Sequence, residues 1–141
     1  MLAAALTLPV AAWAQTTGSS TTAPAMSTQQ RVEARIADLY ATLHITTAQE
    51  AQWNAFAQVM LDNAQAMQDA MTKNNSADLA TRTAEQSLQD YAEIAKLHAQ
   101  NVEKLSAAFH TLYQTLTPEQ KKAADESFRA RAEERGQKKA G

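Results

Sequence analysis

Ile45-Thr46-Thr47-Ala48-Gln49 and Leu116-Thr117-Pro118-Glu119-Gln120 share one form, an aliphatic residue followed by Thr-x-x-Gln. Thr-x-x-Gln is the signature of a capping box. The Thr hydroxyl accepts from the N–H of the third helical residue, and the Gln side chain reaches back to the N–H of the Thr. Each copy therefore predicts a helix start, with Thr46, Gln49, Thr117 and Gln120 as structural caps. Pro118 fits the first helical position, where a missing N–H costs nothing.

Between Pro24 and Pro118 the chain contains neither Gly nor Pro. Sheets need turns, and turns favour Gly, Pro and Asn, so so long a stretch predicts long helices. Four can be placed. The first spans about Ser27 to Thr42, with Val32, Ile36, Leu39, Tyr40 and Leu43 at helical spacing. The second runs from Thr46 to about Lys73 and carries Trp53, Phe56, Met60, Met67 and Met71 along one stripe. Asn74-Asn75-Ser76 is a polar break, with Ser76 expected to cap the next start. The third spans about Ala77 to Thr115. Its second half presents His98, Val102, Leu105, Phe109, Leu112 and Leu116 in alternating steps of four and three, the heptad pattern of helix-on-helix packing. Unbroken, it would be roughly 55–60 Å long, so it is expected either to bend near Arg82 to Ser87 or to make the molecule elongated. The fourth starts at Thr117. The fold class is all-α: four helices built around a long helical hairpin.

The remaining sequence defines the flanks of one domain. Leu2 to Ala12 is nearly all apolar, and Ala12-Trp13-Ala14 offers a small-x-small cleavage pattern. Residues 1–14 thus read as a secretory signal peptide, with no basic residue before the apolar run and the true start expected upstream of Met1. Residues 15–27 are Thr, Ser, Gln and Ala with Gly18 and Pro24, the composition of a disordered leader. Residues 28–135 form the helical domain, and 136–141 are expected to be a disordered tail. No stretch is long and apolar enough for stable membrane insertion.

Composition narrows the chemistry. The formal net charge of −2 gives no argument for nucleic acid binding, and the absence of cysteine removes disulfides, thiolate metal sites and thiol catalysis. Neither a Gly-rich phosphate loop nor a nucleophile elbow is present. Around His44, His98 and His110 the positions three and four residues away hold no His, Asp or Glu. No catalytic residue, metal site or cofactor is expected, and the chain reads as a non-enzyme. The Trp53, Phe56, Met60, Met67 and Met71 stripe is a candidate surface for client or dimer contact, because unbranched, polarizable Met repacks against varied apolar partners.

These residues resemble the Spy/CpxP family of small periplasmic proteins, known for its LTxxQ motif. The resemblance covers about Arg31 to Arg129. Ile45 to Gln49 matches the first motif with Ile for Leu, and Leu116 to Lys122 matches the second. Arg35 to Leu39 and Gln52 to Phe56 resemble the subgroup with Trp after the motif. The resemblance implies an antiparallel, cradle-shaped homodimer in the periplasm. It further implies an ATP-independent holdase for unfolded or misfolded envelope proteins under stress. Two other roles are implied by relatives: restraint of an envelope sensor kinase, and divalent-metal sensing or scavenging. One departure concerns charge. Met26 to Thr115 carries six basic and ten acidic residues, so positive charge contributes little to partner capture here.

Overall fold

The computed structural model describes residues 25–76 and 80–140. The signal peptide and most of the leader read from the sequence lie outside the described residues. The described chain is all-helical: α1 (Thr28–Leu43), a 3-10 turn (Thr47–Gln49), α2 (Glu50–Ser76), α3 (Ala84–Thr115) and α4 (Pro118–Ala140).

Every helix starts on a Ser/Thr-x-x-Gln box, including two that the sequence reading does not single out. Ser27 Oγ accepts from Gln30 N–H at 3.1 Å while Ser27 N–H donates to Gln30 Oε1 at 2.8 Å. Thr83 and Gln86 repeat this at 3.1 and 2.9 Å, and Thr117 and Gln120 at 3.2 and 2.9 Å. At the start of α2 the chain enters through a 3-10 turn: Gln49 N–H bonds the Thr46 carbonyl at 2.9 Å, and Thr46 N–H donates to Gln49 Oε1 at 3.1 Å.

Two helix boundaries differ from expectation. α3 begins at Ala84, capped by Thr83, so its 32 residues reach about 48 Å. The lapse in apolar periodicity near Arg82 to Ser87 is a helix start, not a bend. Ser76 does not cap that start; its hydroxyl donates to the Lys73 carbonyl inside the last turn of α2. At the other end α4 continues to Ala140, correcting the expected disordered tail over 136–140. A single Gly136 costs about 1 kcal/mol in a helix. The neighbouring Arg, Gln, Lys and Ala are strong helix formers, and Lys138 and Lys139 complement the helix dipole in the last turn.

α2 and α3 form a long hairpin, α1 packs on α2, and α4 packs on α1. The core gathers where four helix ends meet. Leu39, Leu43, Ile45, Trp53, Phe56, Leu112, Leu116 and Ala124 are buried there. A run of rings ties the elements together. Tyr40 meets Trp53 at 5.4 Å, Trp53 meets Phe56 at 5.8 Å, Phe56 meets Phe109 at 5.4 Å and Phe109 meets Phe128 at 4.9 Å. Such pairs contribute about 0.5–1.5 kcal/mol each beyond the area they bury.

Candidate functional site

The two motifs meet at the centre of this core. Gln49 Nε2 donates to Gln120 Oε1 at 2.8 Å, and Gln120 Nε2 returns the bond to Gln49 Oε1 at 2.9 Å, across 71 residues of chain. Each amide also reaches the end of the helix preceding the other motif. Gln49 Nε2 donates to the Thr115 carbonyl at 2.8 Å. Gln120 Nε2 donates to the carbonyls of Leu43 at 2.9 Å and His44 at 3.2 Å. Both side chains are buried. An amide has two donor hydrogens and an oxygen with two lone pairs, and in each Gln all four capacities are used. His44 supports this geometry by taking a left-handed conformation, φ 49 and ψ 51, that closes α1 with its N–H on the Ala41 carbonyl. The capping residues thus do more than start helices: they lock two helix corners into one junction. Their chemistry is structural, with no group poised for reaction.

The junction locates the five stripe residues. Trp53 and Phe56, at 4% and 1% exposure, are interior to the chain's own core, which corrects their reading as an open contact surface. They lie in the first two turns of α2, where α1 and α3 both cover them. Met60 packs partly against the same core, Met67 is half-buried and Met71 is exposed. Helical periodicity identifies a shared face, while depth depends on what covers it, and cover runs out along α2. The heptad on α3 divides the same way. Leu112 and Leu116 are buried and Leu105 and Phe109 pack beside them, whereas His98 and Val102 are exposed.

Beyond Met60 and Leu105 the α2–α3 hairpin becomes a thin arm. Among its described residues, 61–76 and 80–104, only Asn101 is buried. Here Asn63 Nδ2 donates to the Asn101 carbonyl at 2.7 Å and Asn101 Nδ2 donates to the Asn63 carbonyl at 3.3 Å. Asn101 Oδ1 is buried without a partner, at a cost of about 1–3 kcal/mol. At the tip, Arg82 clips the two helices. Its guanidinium donates to Asn74 Oδ1 at 3.0 Å and to the Asn74 carbonyl at 2.6 Å, and lies 3.5 Å from Asp90. Between clip and junction the arm carries exposed Met71, Leu88, Tyr91 and Val102. Leu88 and Tyr91 escape the sequence reading, and Val102, read there as part of the heptad seam, is exposed instead. The available signal was the heptad itself, which runs back from Val102 through His98 and Ala95 to Tyr91 and Leu88.

Outside the arm several charged groups have local partners. Arg35 pairs with Asp38 at 3.1 Å and donates to Ser127 Oγ at 3.2 Å, joining α1 to α4. Burial and the nearby Arg131 lower its pKa from the ordinary arginine value, against Asp38 and Glu134. Partial burial and then the Asp125 carboxylate raise the pKa of the Tyr113 hydroxyl, which bonds Asp125 at 3.3 Å. Lys121 lies over the Tyr113 ring at 5.1 Å instead of pairing with Asp125, and Lys122 faces Glu126 at 4.0 Å. Among the described residues no three His, Asp or Glu gather as a metal site. No described helix is long and apolar enough to cross a membrane.

A family model described as LTXXQ motif family protein matches residues 18–128, well over half of the chain. It spans α1 to α3, both Gln-bearing corners and the first half of α4. Comparison with curated proteins and with solved structures finds no match.

Proposed function

The chain belongs to the LTXXQ motif family, which includes the Spy/CpxP periplasmic proteins, and on that premise we propose that it is a periplasmic, ATP-independent holdase. It acts without enzymatic chemistry, on unfolded or misfolded envelope proteins, and works as a homodimer. The observation that carries this reading is the outer arm, where Met71, Leu88, Tyr91 and Val102 stand exposed on a hairpin with almost no core beneath them. Apolar surface of this kind marks an interaction site.

The arm suits changing partners. Its interior contacts are half-buried Met67, Ile94 and Leu97 with an Asn pair between the helices, so side chains can repack without breaking a dense core. The junction, by contrast, holds the four helix ends through buried hydrogen bonds and keeps the arm's base fixed. A client is held by several modest apolar contacts and leaves when it folds, without a nucleotide cycle.

The direct test is light scattering of a chemically denatured client diluted into buffer without ATP. Stoichiometric protein should suppress most of the aggregation, and replacing Met71 and Leu88 together by Ser should remove much of the effect. Full aggregation in the presence of stoichiometric native protein would end the holdase reading.

A further inference from the structure

α4 changes character halfway along. Its first turns face the core: Gln120 and Ala124 are buried, and Ser127 bonds Arg35 of α1. From Arg129 to Lys139 every side chain is exposed. The family match also stops at residue 128. Residues 129–141 hold five basic and two acidic residues, a balance of +3, whereas residues 25–128 hold eight basic and thirteen acidic, a balance of −5.

Spacing gathers four of these cations on one face. Arg131, Arg135, Lys138 and Lys139 stand at i, i+4, i+7 and i+8, about 12 Å from end to end. They prolong the line of Ala124 and Ser127, so the stripe lies on the side that is core further back. Arg35 has its pKa lowered by burial and next by Arg131, which sets the first member of the stripe beside α1. Glu134 borders the stripe, yet among the described residues none of the four cations forms an ion pair.

A helix that is only solvated alternates its charges, as Lys122 and Glu126 do at 4.0 Å. Arg131 with Arg135, and Arg135 with Lys139, instead repeat one sign four residues apart, which costs stability. Anions laid along the stripe relieve that repulsion. Ala132 and Gly136 lie beside the cations around an open depression, and nothing stands within 4 Å of where a side chain on Gly136 would begin. A flat surface can therefore approach.

The stripe offers charge alone. Residues 129–141 contain no aromatic and no large apolar residue. A specific protein partner is gripped by buried anchors in pockets, and single-stranded nucleic acid by stacking rings. A broad sheet of phosphates needs neither, and a guanidinium takes phosphate oxygens two at a time. The secretory reading of residues 1–14 brings the chain to a membrane face, where lipids display such a sheet.

We propose that the last turns of α4 dock the protein on anionic phospholipid headgroups, with Arg131, Arg135, Lys138 and Lys139 along the membrane surface and no insertion. This is independent of the holdase reading.

Co-sedimentation of the full chain with vesicles at low ionic strength tests it. The probes are equimolar phosphatidylglycerol and phosphatidylcholine against phosphatidylcholine alone, the neutral vesicles reporting any binding through the apolar segment Leu2 to Ala12. The protein should partition about tenfold or more in favour of the anionic vesicles, and salt should release it. Arg135→Gln, Lys138→Gln and Lys139→Gln together should reduce that preference about tenfold. Lys73→Gln, Lys96→Gln and Lys104→Gln together remove the same charge from the arm and should leave the preference within about twofold of native. Circular dichroism should show both variants as helical as the native protein. No preference for anionic vesicles, or an equal loss in the two triple variants, would overturn the proposal. Native protein that ignores the vesicles but binds polyglutamate or duplex DNA would overturn it too, and would give the stripe to another polyanion.

Discussion

Replacing Gln120 by Glu separates the two jobs of the motif. Glu keeps an oxygen for the Thr117 N–H and so keeps the local cap. It loses the Nε2 group that donates to Gln49 Oε1 and to the carbonyls of Leu43 and His44. Three acceptors at 2.9 to 3.2 Å would then face a carboxylate inside the core. Losing two buried bonds costs about 0.5–1.5 kcal/mol each, and leaving their acceptors unsatisfied about 1–3 kcal/mol each, so the total is about 3–9 kcal/mol near pH 7.5. That is a large share of the ~5–15 kcal/mol that holds a typical domain together. Burial also raises the pKa of the new carboxyl. Below its folded pKa it is protonated and regains one donor, so the loss should shrink by about half near pH 4.

The control lies within the same chain. Gln30 builds the same box on Ser27, yet it is exposed and bonds no other helix end. Gln30→Glu keeps its cap and adds a negative charge near a helix N-terminus, for a change within about 0.5 kcal/mol and of favourable sign. The assay is urea unfolding followed by circular dichroism at the same protein concentration for all variants. Gln49→Ala, Gln120→Ala and their combination close a double-mutant cycle, and the reciprocal amide pair should show coupling of about 1–3 kcal/mol. A Gln120→Glu protein as stable as Gln30→Glu, or strict additivity in the cycle, would refute the junction as the source of stability.

Two further predictions concern groups away from the junction. Arg82→Ala removes a guanidinium that holds the Asn74 side chain, the Asn74 carbonyl and Asp90 at once; hydrogen exchange should quicken at the end of α2 and the start of α3, while the global midpoint falls by only a few degrees, and unchanged exchange would show that the clip holds nothing. Arg82→Lys should not restore protection, because one ammonium cannot reproduce the planar fork. The Tyr113 hydroxyl has a folded pKa above the ordinary tyrosine value of 10.0, so its contribution is fully present below that value and is lost as pH rises through the folded pKa. Native protein should therefore lose stability above pH ~10 more steeply than Tyr113→Phe, and parallel pH curves for the two would count against the assignment.

The all-helical fold could be read from the long stretch without Gly or Pro and from two capping boxes. Two other boxes went unnoticed for a physical reason. Ser27 borders a polar leader, and Thr83 lies where apolar periodicity lapses, so neither is flagged by a hydrophobic run behind it. The meeting of Gln49 and Gln120 was less legible still, because a capping box is complete with the Gln oxygen alone. What the box leaves over is an NH₂ group, harmless in water at Gln30 or Gln86 and costly when buried. An aliphatic residue before the Thr, at Ile45 and Leu116 but not before Ser27 or Thr83, is the sequence sign that a box turns inward. The stripe on α2 misled for the complementary reason: spacing groups Trp53 with Met71, but α1 covers only the base of α2. The same asymmetry points to function. Buried bonds and rings concentrate stability at one end of the hairpin, where Gln49 and Gln120 close every donor and acceptor they have. Among its described residues the outer arm is left with a single buried side chain, itself short of a partner at Asn101 Oδ1. A two-helix arm so thin is marginal by itself in water, and Leu88, Tyr91 and Val102 stand exposed on it.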